Sequence, residues 1–300
     1  MKLNKNNVKE EQSLPVNRKQ VFFRSFRSDY SVILLVSIFM TLLALPLIAV
    51  VFVALVRLTE LSAADLTVRE NVVAMYEVRL WMYMWCIPAM AVLAIGASGG
   101  FYVIRRLVWN EEVKFFRDFG KGIKSNVLQF EIVTLIFSLF VFGISYGADL
   151  LTLNLNLGGF YPYLIVIQVF LILLALSFLL FQYCEIVVYK SGIFKQIQNS
   201  FLLTLGSLPR TFLALIGVLL PVLLILLFMF LSSILVLTIL STALALVGFG
   251  YAVLLFTLHC HYVFDKHVNK TNFPEIYRKG LYDGEAAQEK YDRENKRDIR

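Results

Sequence analysis

The chain has 300 residues, of which 59% are hydrophobic and only 16% charged, with a formal net charge of +7. A soluble domain carries about 25% charged residues, so this composition excludes a soluble globular protein and predicts an all-α polytopic membrane protein. The basic residues are spread over separate pieces that flank apolar blocks, which excludes a nucleic-acid-binding surface.

Residues 1–30 form a polar segment expected on the cytoplasmic side, its first twenty residues without fixed structure. Within it, "RKQVFFRSFRSDY" (Arg18–Tyr30) mixes arginine with aromatics, the pattern of a short amphipathic helix lying on a membrane surface. The first apolar block, Ser31–Leu58, is too long for a signal-peptide core and reads as an uncleaved span. An acidic loop, Thr59–Arg79, follows with room for a short helix. The second block, Leu80–Val108, holds Pro88, where a kink is expected. It ends in "IGASGGFYVIRR" (Ile95–Arg106).

That stretch has two readings. Gly96-Ala97-Ser98-Gly99 matches the G-x-S-G of rhomboid proteases, with His259 on the last span as a base. Against this, His259 is followed by Cys-His-Tyr rather than small residues. Ser98 also lies only seven residues, about 10 Å, before Arg105 and the inner interface. The better reading is packing: Gly96 and Gly100 make a G-x-x-x-G pair that, with Ala97 and Ser98, lets another helix approach closely. Arg105 and Arg106 mark the interface.

Asn110 then reads as an N-cap, with Glu111 and Glu112 in the first turn, where the helix dipole favours negative charge. Val113, Phe116, Phe119, Ile123 and Val127 give the apolar stripe of an amphipathic helix with a basic face. Gly120 and Gly122 weaken it and allow a break. The third block, Val127–Leu151, carries Glu131 and ends near Asp149, which reads as an ordinary helix-end acid, the alternative being a solute contact outside together with Tyr146 and the loop asparagines Asn154 and Asn156. The outer loop "LNLNLGGFYP" (Leu153–Pro162) is uncharged. The fourth block, Tyr161–Val188, carries Glu185 five residues before Lys190. A second cytoplasmic amphipathic helix follows, with Ile193, Phe194, Ile197, Phe201 and Leu205 as its stripe. It occupies the same place as the first, either as an internal repeat or by coincidence. Pro209-Arg210 opens the fifth span, Thr211–Ser232. A hairpin at Leu231–Ser233 separates it from the sixth, Ser233–Cys260.

The membrane domain therefore runs over residues 31–264, with a cytoplasmic tail at 265–300, where Pro274 suits the start of a short helix. Lys and Arg number seven in residues 1–30, six in 105–124, three in 190–210 and nine in 266–300; only Arg57, Arg69 and Arg79 lie elsewhere. The positive-inside rule then gives six spans with both termini in the cytoplasm, and the basic faces suit an anionic inner leaflet. Three cysteines without CxxC spacing read as reduced thiols.

"CIPAMAVLAIGASGGFYVIRRLVWNEEVKFFRDFGKGIKSN" (Cys86–Asn126) resembles the YesL-like family of bacterial membrane proteins. "NSFLLTLGSLPRTFLALIGVLLP" (Asn199–Pro221) and "FPEIYRKGLYD" (Phe273–Asp283) are similar to its later parts. The longer outer loop at 59–79 departs from it. The resemblance implies a bacterial inner-membrane location, an association with carbohydrate uptake systems, and no catalytic residue. Glu131 and Glu185, as carboxylates at membrane depth, are candidates by default. Each would pair with Arg105, Arg106 or Arg210 as a structural lock, or the two would line a solute path. His259 and His261 are two apart and point in different directions on a helix, and no further ligands are at hand, so no metal site is expected. The reading that follows is a non-enzymatic membrane protein without cofactor, accessory to a sugar importer whose subunits would be partners, with self-association an open possibility. The rival is a permease using Glu131 and Glu185.

Overall fold

The computed structural model describes residues 14–63, 69–154, 160–189, 191–229 and 234–282. Among them the structure is helical: α1 Arg18–Ser28, α2 Tyr30–Ser62, α3 Arg69–Val108, α4 Phe115–Asn154, α5 Tyr161–Val188, α6 Ile193–Gly206, α7 Leu208–Met229 and α8 Ile234–Ala243. A π-helical turn, Leu244–Gly248, then leads into α9, Phe249–Phe264; a second, Asp265–Asn269, leads into the short α10, Lys270–Asn272. Six helical stretches are long and apolar enough to cross a membrane. In hydrocarbon every backbone polar group must be satisfied within the chain, and a helix does this locally. The chain is an all-α, multi-pass membrane protein of six spans.

Several boundaries differ from the sequence reading. The acidic outer loop is short, because α2 runs on to Ser62 and α3 begins at Arg69; residues 64–68 lie outside the described set. The first cytoplasmic amphipathic helix is not separate. It is the opening of α4, a 40-residue helix that passes Gly120 and Gly122 without a break. Its buried stripe is Phe115 and Phe119, with rings 5.3 Å apart, while Phe116 is 72% exposed. The tail forms turns rather than a helix after Phe273. The hairpin at Leu231–Ser233 and the loop asparagine Asn156 fall outside the described residues.

The chain divides into two compact units. One comprises Met1–Ile38, Gly100–Gly120 and Leu205–Arg300. Its tightest crossing lies between α2 and α9. A methyl group built on Gly250 would overlap the carbonyl oxygen of Ile33 and stand 2.8 Å from its Cγ2. The π-turn just before α9 widens the helix, and Gly250 N–H donates across to Ser37 Oγ at 2.6 Å. Close backbone approach with a hydroxyl bridging it is a common way for helices to associate where lipid removes the hydrophobic drive. Phe22 and Phe26 of α1 then pack their rings against Tyr251, whose hydroxyl donates to the Gly217 carbonyl of α7 at 3.1 Å.

The second unit comprises Phe39–Gly99 and Lys121–Thr204. Gly96 to Gly100 are all buried. A methyl on Gly96 would lie 2.9 Å from Leu43 Cδ1 and 3.6 Å from Met40 Cα, so this glycine is where α3 meets α2. Phe130 of α4 stacks on Tyr183 of α5 with centroids 4.3 Å apart, and the Tyr183 hydroxyl and Thr134 Oγ1 are 2.5 Å apart.

Two substitutions check this packing. Gly250→Val should destabilise the protein by about 1–3 kcal/mol, the usual cost of forcing bulk into a packed contact. Gly120 is exposed, and an added methyl meets nothing within 4 Å. Gly120→Ala should therefore raise stability by about 1 kcal/mol. Thermal unfolding in detergent, compared with wild type, reads both.

Candidate functional site

The α3 end shows how a sequence signal was misplaced. Asn110 adopts φ 56°, the left-handed conformation. Asn110 N–H donates to the Leu107 carbonyl at 3.0 Å, and Glu111 N–H to the Arg106 carbonyl at 2.9 Å. These two bonds define a Schellman motif with Asn110 just beyond the end of α3. Asn110 therefore ends a helix and does not cap the next one. Glu111 and Glu112 precede α4 instead of filling its first turn. The α4 start is held by Asp118, whose carboxylate accepts the Lys114 N–H at 2.8 Å.

Around that turn lies a cluster of charged groups of the first unit. Arg106 pairs with Glu111 at 3.1 Å and with Asp118 at 2.6 Å. Glu111 also pairs with Lys279 of the tail at 3.0 Å. Glu112 makes only an exposed contact with Lys114 at 3.6 Å. Trp109 carries cations near its ring: the Arg105 guanidinium lies 4.5 Å from the centroid and the Lys279 ammonium 3.9 Å. Gly280, at φ 84°, brings the tail backbone against Val108 and Trp109, where no side chain would fit. Deeper in, Arg18 Nη2 donates to Asp265 Oδ2 at 2.7 Å, with both side chains buried. Asp265 Oδ1 accepts from Asn269 Nδ2 at 2.8 Å and from Arg278 N–H at 3.2 Å. Arg18 Nη1 donates to the Lys279 carbonyl, and Tyr282 N–H to the Pro15 carbonyl, each at 3.0 Å. The tail is thus bound to α1 and to the end of α3.

The remaining predicted residues are spread out. Ser98 is buried, and its hydroxyl donates to the Ile95 carbonyl of its own helix at 2.7 Å. His259 lies 3.0 Å from Thr211 Oγ1, whereas His261 packs against Trp109 and Phe264. Arg210 donates to the Tyr262 hydroxyl at 2.6 Å. Arg105, Arg106 and Arg210 belong to the first unit, and Glu131 and Glu185 to the second. The acids nearest Arg106 are on its own turn and the start of α4, and they take it. Glu131 is half-buried beside Pro88 in a mainly apolar crevice of about 300 Å³. Glu185 is buried, with Oε2 unbonded among the described residues.

Helix α6 explains the surroundings of Glu185. Its buried residues are Gln196, Ser200, Leu203 and Thr204, so Gln196, Ser200 and Thr204 form one polar stripe turned inward. Gln196 Nε2 donates to the Tyr189 carbonyl at 3.4 Å. Several of its apolar residues face out, with Lys195 and Gln198 exposed among them: Phe194 is 85% exposed, and Phe201, Leu202 and Leu205 are also exposed. The amphipathic pattern was legible, but its sense is inverted relative to a water-soluble protein.

At the other end of the second unit lies a pair that sequence reasoning missed. Arg79 Nη1 of α3 donates to Asp149 Oδ1 of α4 at 2.9 Å, and the Tyr83 hydroxyl donates to Asp149 Oδ2 at 3.0 Å. They line a half-open cavity of about 250 Å³ together with Thr152, Tyr161 and Gln168. The signal available was an arginine in a stretch otherwise poor in basic residues, since residues 31–104 hold only Arg57, Arg69 and Arg79. No family model, curated protein or solved structure matches this chain.

Two measurements bear on the inner cluster. Asp265→Leu leaves Arg18 buried and unpaired and should cost about 3–5 kcal/mol, while the double variant with Arg18→Met should recover much of that loss. Thermal unfolding of the three proteins reads it. Burial opposes ionisation of Glu111, but the Lys279 hydrogen bond and the charges of Lys279, Arg105 and Arg106 outweigh it and hold this carboxyl below its ordinary value of 4.5. A depressed value stabilises the fold above the unfolded pKa, and the contribution disappears as pH falls through the folded one. Wild type should therefore be more stable than Glu111→Gln at neutral pH, with the difference closing below pH 4.5, followed by unfolding at stepped pH.

Proposed function

We propose that this chain is a non-enzymatic protein of the bacterial inner membrane that assists carbohydrate uptake or its regulation, by docking to importer subunits. The sugar association and the bacterial location rest on the resemblance of Cys86–Asn126, Asn199–Pro221 and Phe273–Asp283 to the YesL-like family. The observation that supports docking is the exposed start of α4. Phe116 stands out from the protein with the exposed side chains of Lys114 and Arg117 beside it. An aromatic anchor rimmed by positive charge suits a partner surface with an apolar pocket and an acidic edge. Affinity purification of the tagged protein from its own cells should recover sugar-importer subunits, and Phe116→Asp should abolish that recovery while leaving membrane insertion intact. Importer subunits absent from wild-type eluates would defeat the proposal.

A second reading, a permease, is favoured by one observation: the Glu185 carboxyl is buried beside Ser200 of the inward polar stripe of α6. Solute flux into liposomes holding this protein alone, lost in Glu185→Gln, would establish it in place of the first.

A further inference from the structure

The cavity around Arg79 and Asp149 is built for a ligand with a particular charge pattern. Arg79 uses one guanidinium N–H on Asp149. A guanidinium has five, and among the described residues the others have no protein acceptor. Asp149 takes one donor on each oxygen, from Arg79 and Tyr83, and each oxygen can take a further one. The site therefore offers donors at one end and acceptors at the other, while its net charge is zero. A simple anion would meet Arg79 but be repelled by Asp149, and a simple cation would face the reverse. A group carrying both an anionic oxygen and an ammonium satisfies the two ends together. Tyr83 and Tyr161 also line the cavity, and aromatic rings attract ammonium.

Depth indicates where such a group would come from. Asp149 lies 25 residues along α4 from Lys124, about 38 Å at 1.5 Å per residue, which exceeds a hydrocarbon core of about 30 Å. Trp81 and Trp85 of α3 and Tyr161 and Tyr163 of α5 are all exposed at this end, the signature of an aromatic belt at head-group level. The cavity walls also include Leu58, Leu164 and Ile165, so a polar floor sits beside apolar sides. Its volume of about 250 Å³ falls just below the roughly 300–1,000 Å³ of small-molecule sites, which suits a head group rather than an oligosaccharide.

We propose that the Arg79–Asp149 cavity binds the zwitterionic head group of an outer-leaflet phospholipid, its phosphate on Arg79 and its ammonium on Asp149 and the tyrosines. The test is native mass spectrometry of the full-length protein, delipidated in detergent and offered equal amounts of phosphatidylethanolamine and phosphatidylglycerol with the same acyl chains. Wild type should retain phosphatidylethanolamine about ten-fold better, the worth of one charge-assisted contact. Asp149→Asn should shift retention toward phosphatidylglycerol, and Arg79→Gln should lose both. Should Arg79→Gln fail to fold, Tyr161→Leu, which leaves the ion pair in place, should still lower phosphatidylethanolamine retention several-fold. Equal retention of both lipids by wild type, or an unchanged preference in Asp149→Asn, would overturn the proposal. Soluble phosphoethanolamine bound as tightly as the lipid would also overturn it, assigning the cavity to a free zwitterion.

Discussion

Asp265 is the group on which the first unit turns. It is a buried carboxylate in a chain with few charges, and it accepts from Arg18, from Asn269 and from the backbone of Arg278. Removing a carboxylate from water costs several kcal/mol, and only a well-bonded site offsets it. The geometry that satisfies Asp265 therefore dictates much else. Arg18 must come in from α1, which sets α1 against α9. Residue 278 must come back from beyond α10, which lays the tail on Trp109 and requires the left-handed glycine at 280. The π-turn at Asp265–Asn269 brings Asn269 onto the same carboxylate. A string of separate features is one consequence of a single charge that has to be neutralised.

The second unit solves the same problem in two ways. Along α6 the polar side chains of Gln196, Ser200 and Thr204 are turned to the protein, and Glu185 lies buried beside the Ser200 hydroxyl. At its other end a charge pair remains half-open to its surroundings, with the Arg79 side chain 30% and the Asp149 side chain 13% exposed. One arrangement conceals polarity and the other presents it.

What the sequence could convey follows from range. Six apolar blocks are legible because span length is a property of consecutive residues. The close packing of Gly96 is legible for the same reason, since small residues cluster within one stretch. Helix ends were not, because asparagine serves as well beyond a C-terminus as before an N-terminus, and only the φ of Asn110 decides. The amphipathic stripe of α6 was visible, but its direction depends on what surrounds it. Gly250 looked ordinary until Ser37, 213 residues away, supplied its acceptor. Arg79 and Asp149 are 70 residues apart, and Arg18 and Asp265 are 247 apart. No local pattern reports such pairings.

The separation of Arg18 from Asp265 also sets a schedule for biogenesis. Chains are synthesised at about 5–20 residues per second, so some 12–50 seconds pass between the two residues leaving the ribosome. During that interval Arg18 lacks its Asp265 partner and must be satisfied by water or by another acceptor. The first span is already inserted by then, but its contact with α9 cannot yet exist. The first unit therefore closes late, and from its last spans backward: the beginning of the protein acquires its final environment only when nearly everything after it has been made.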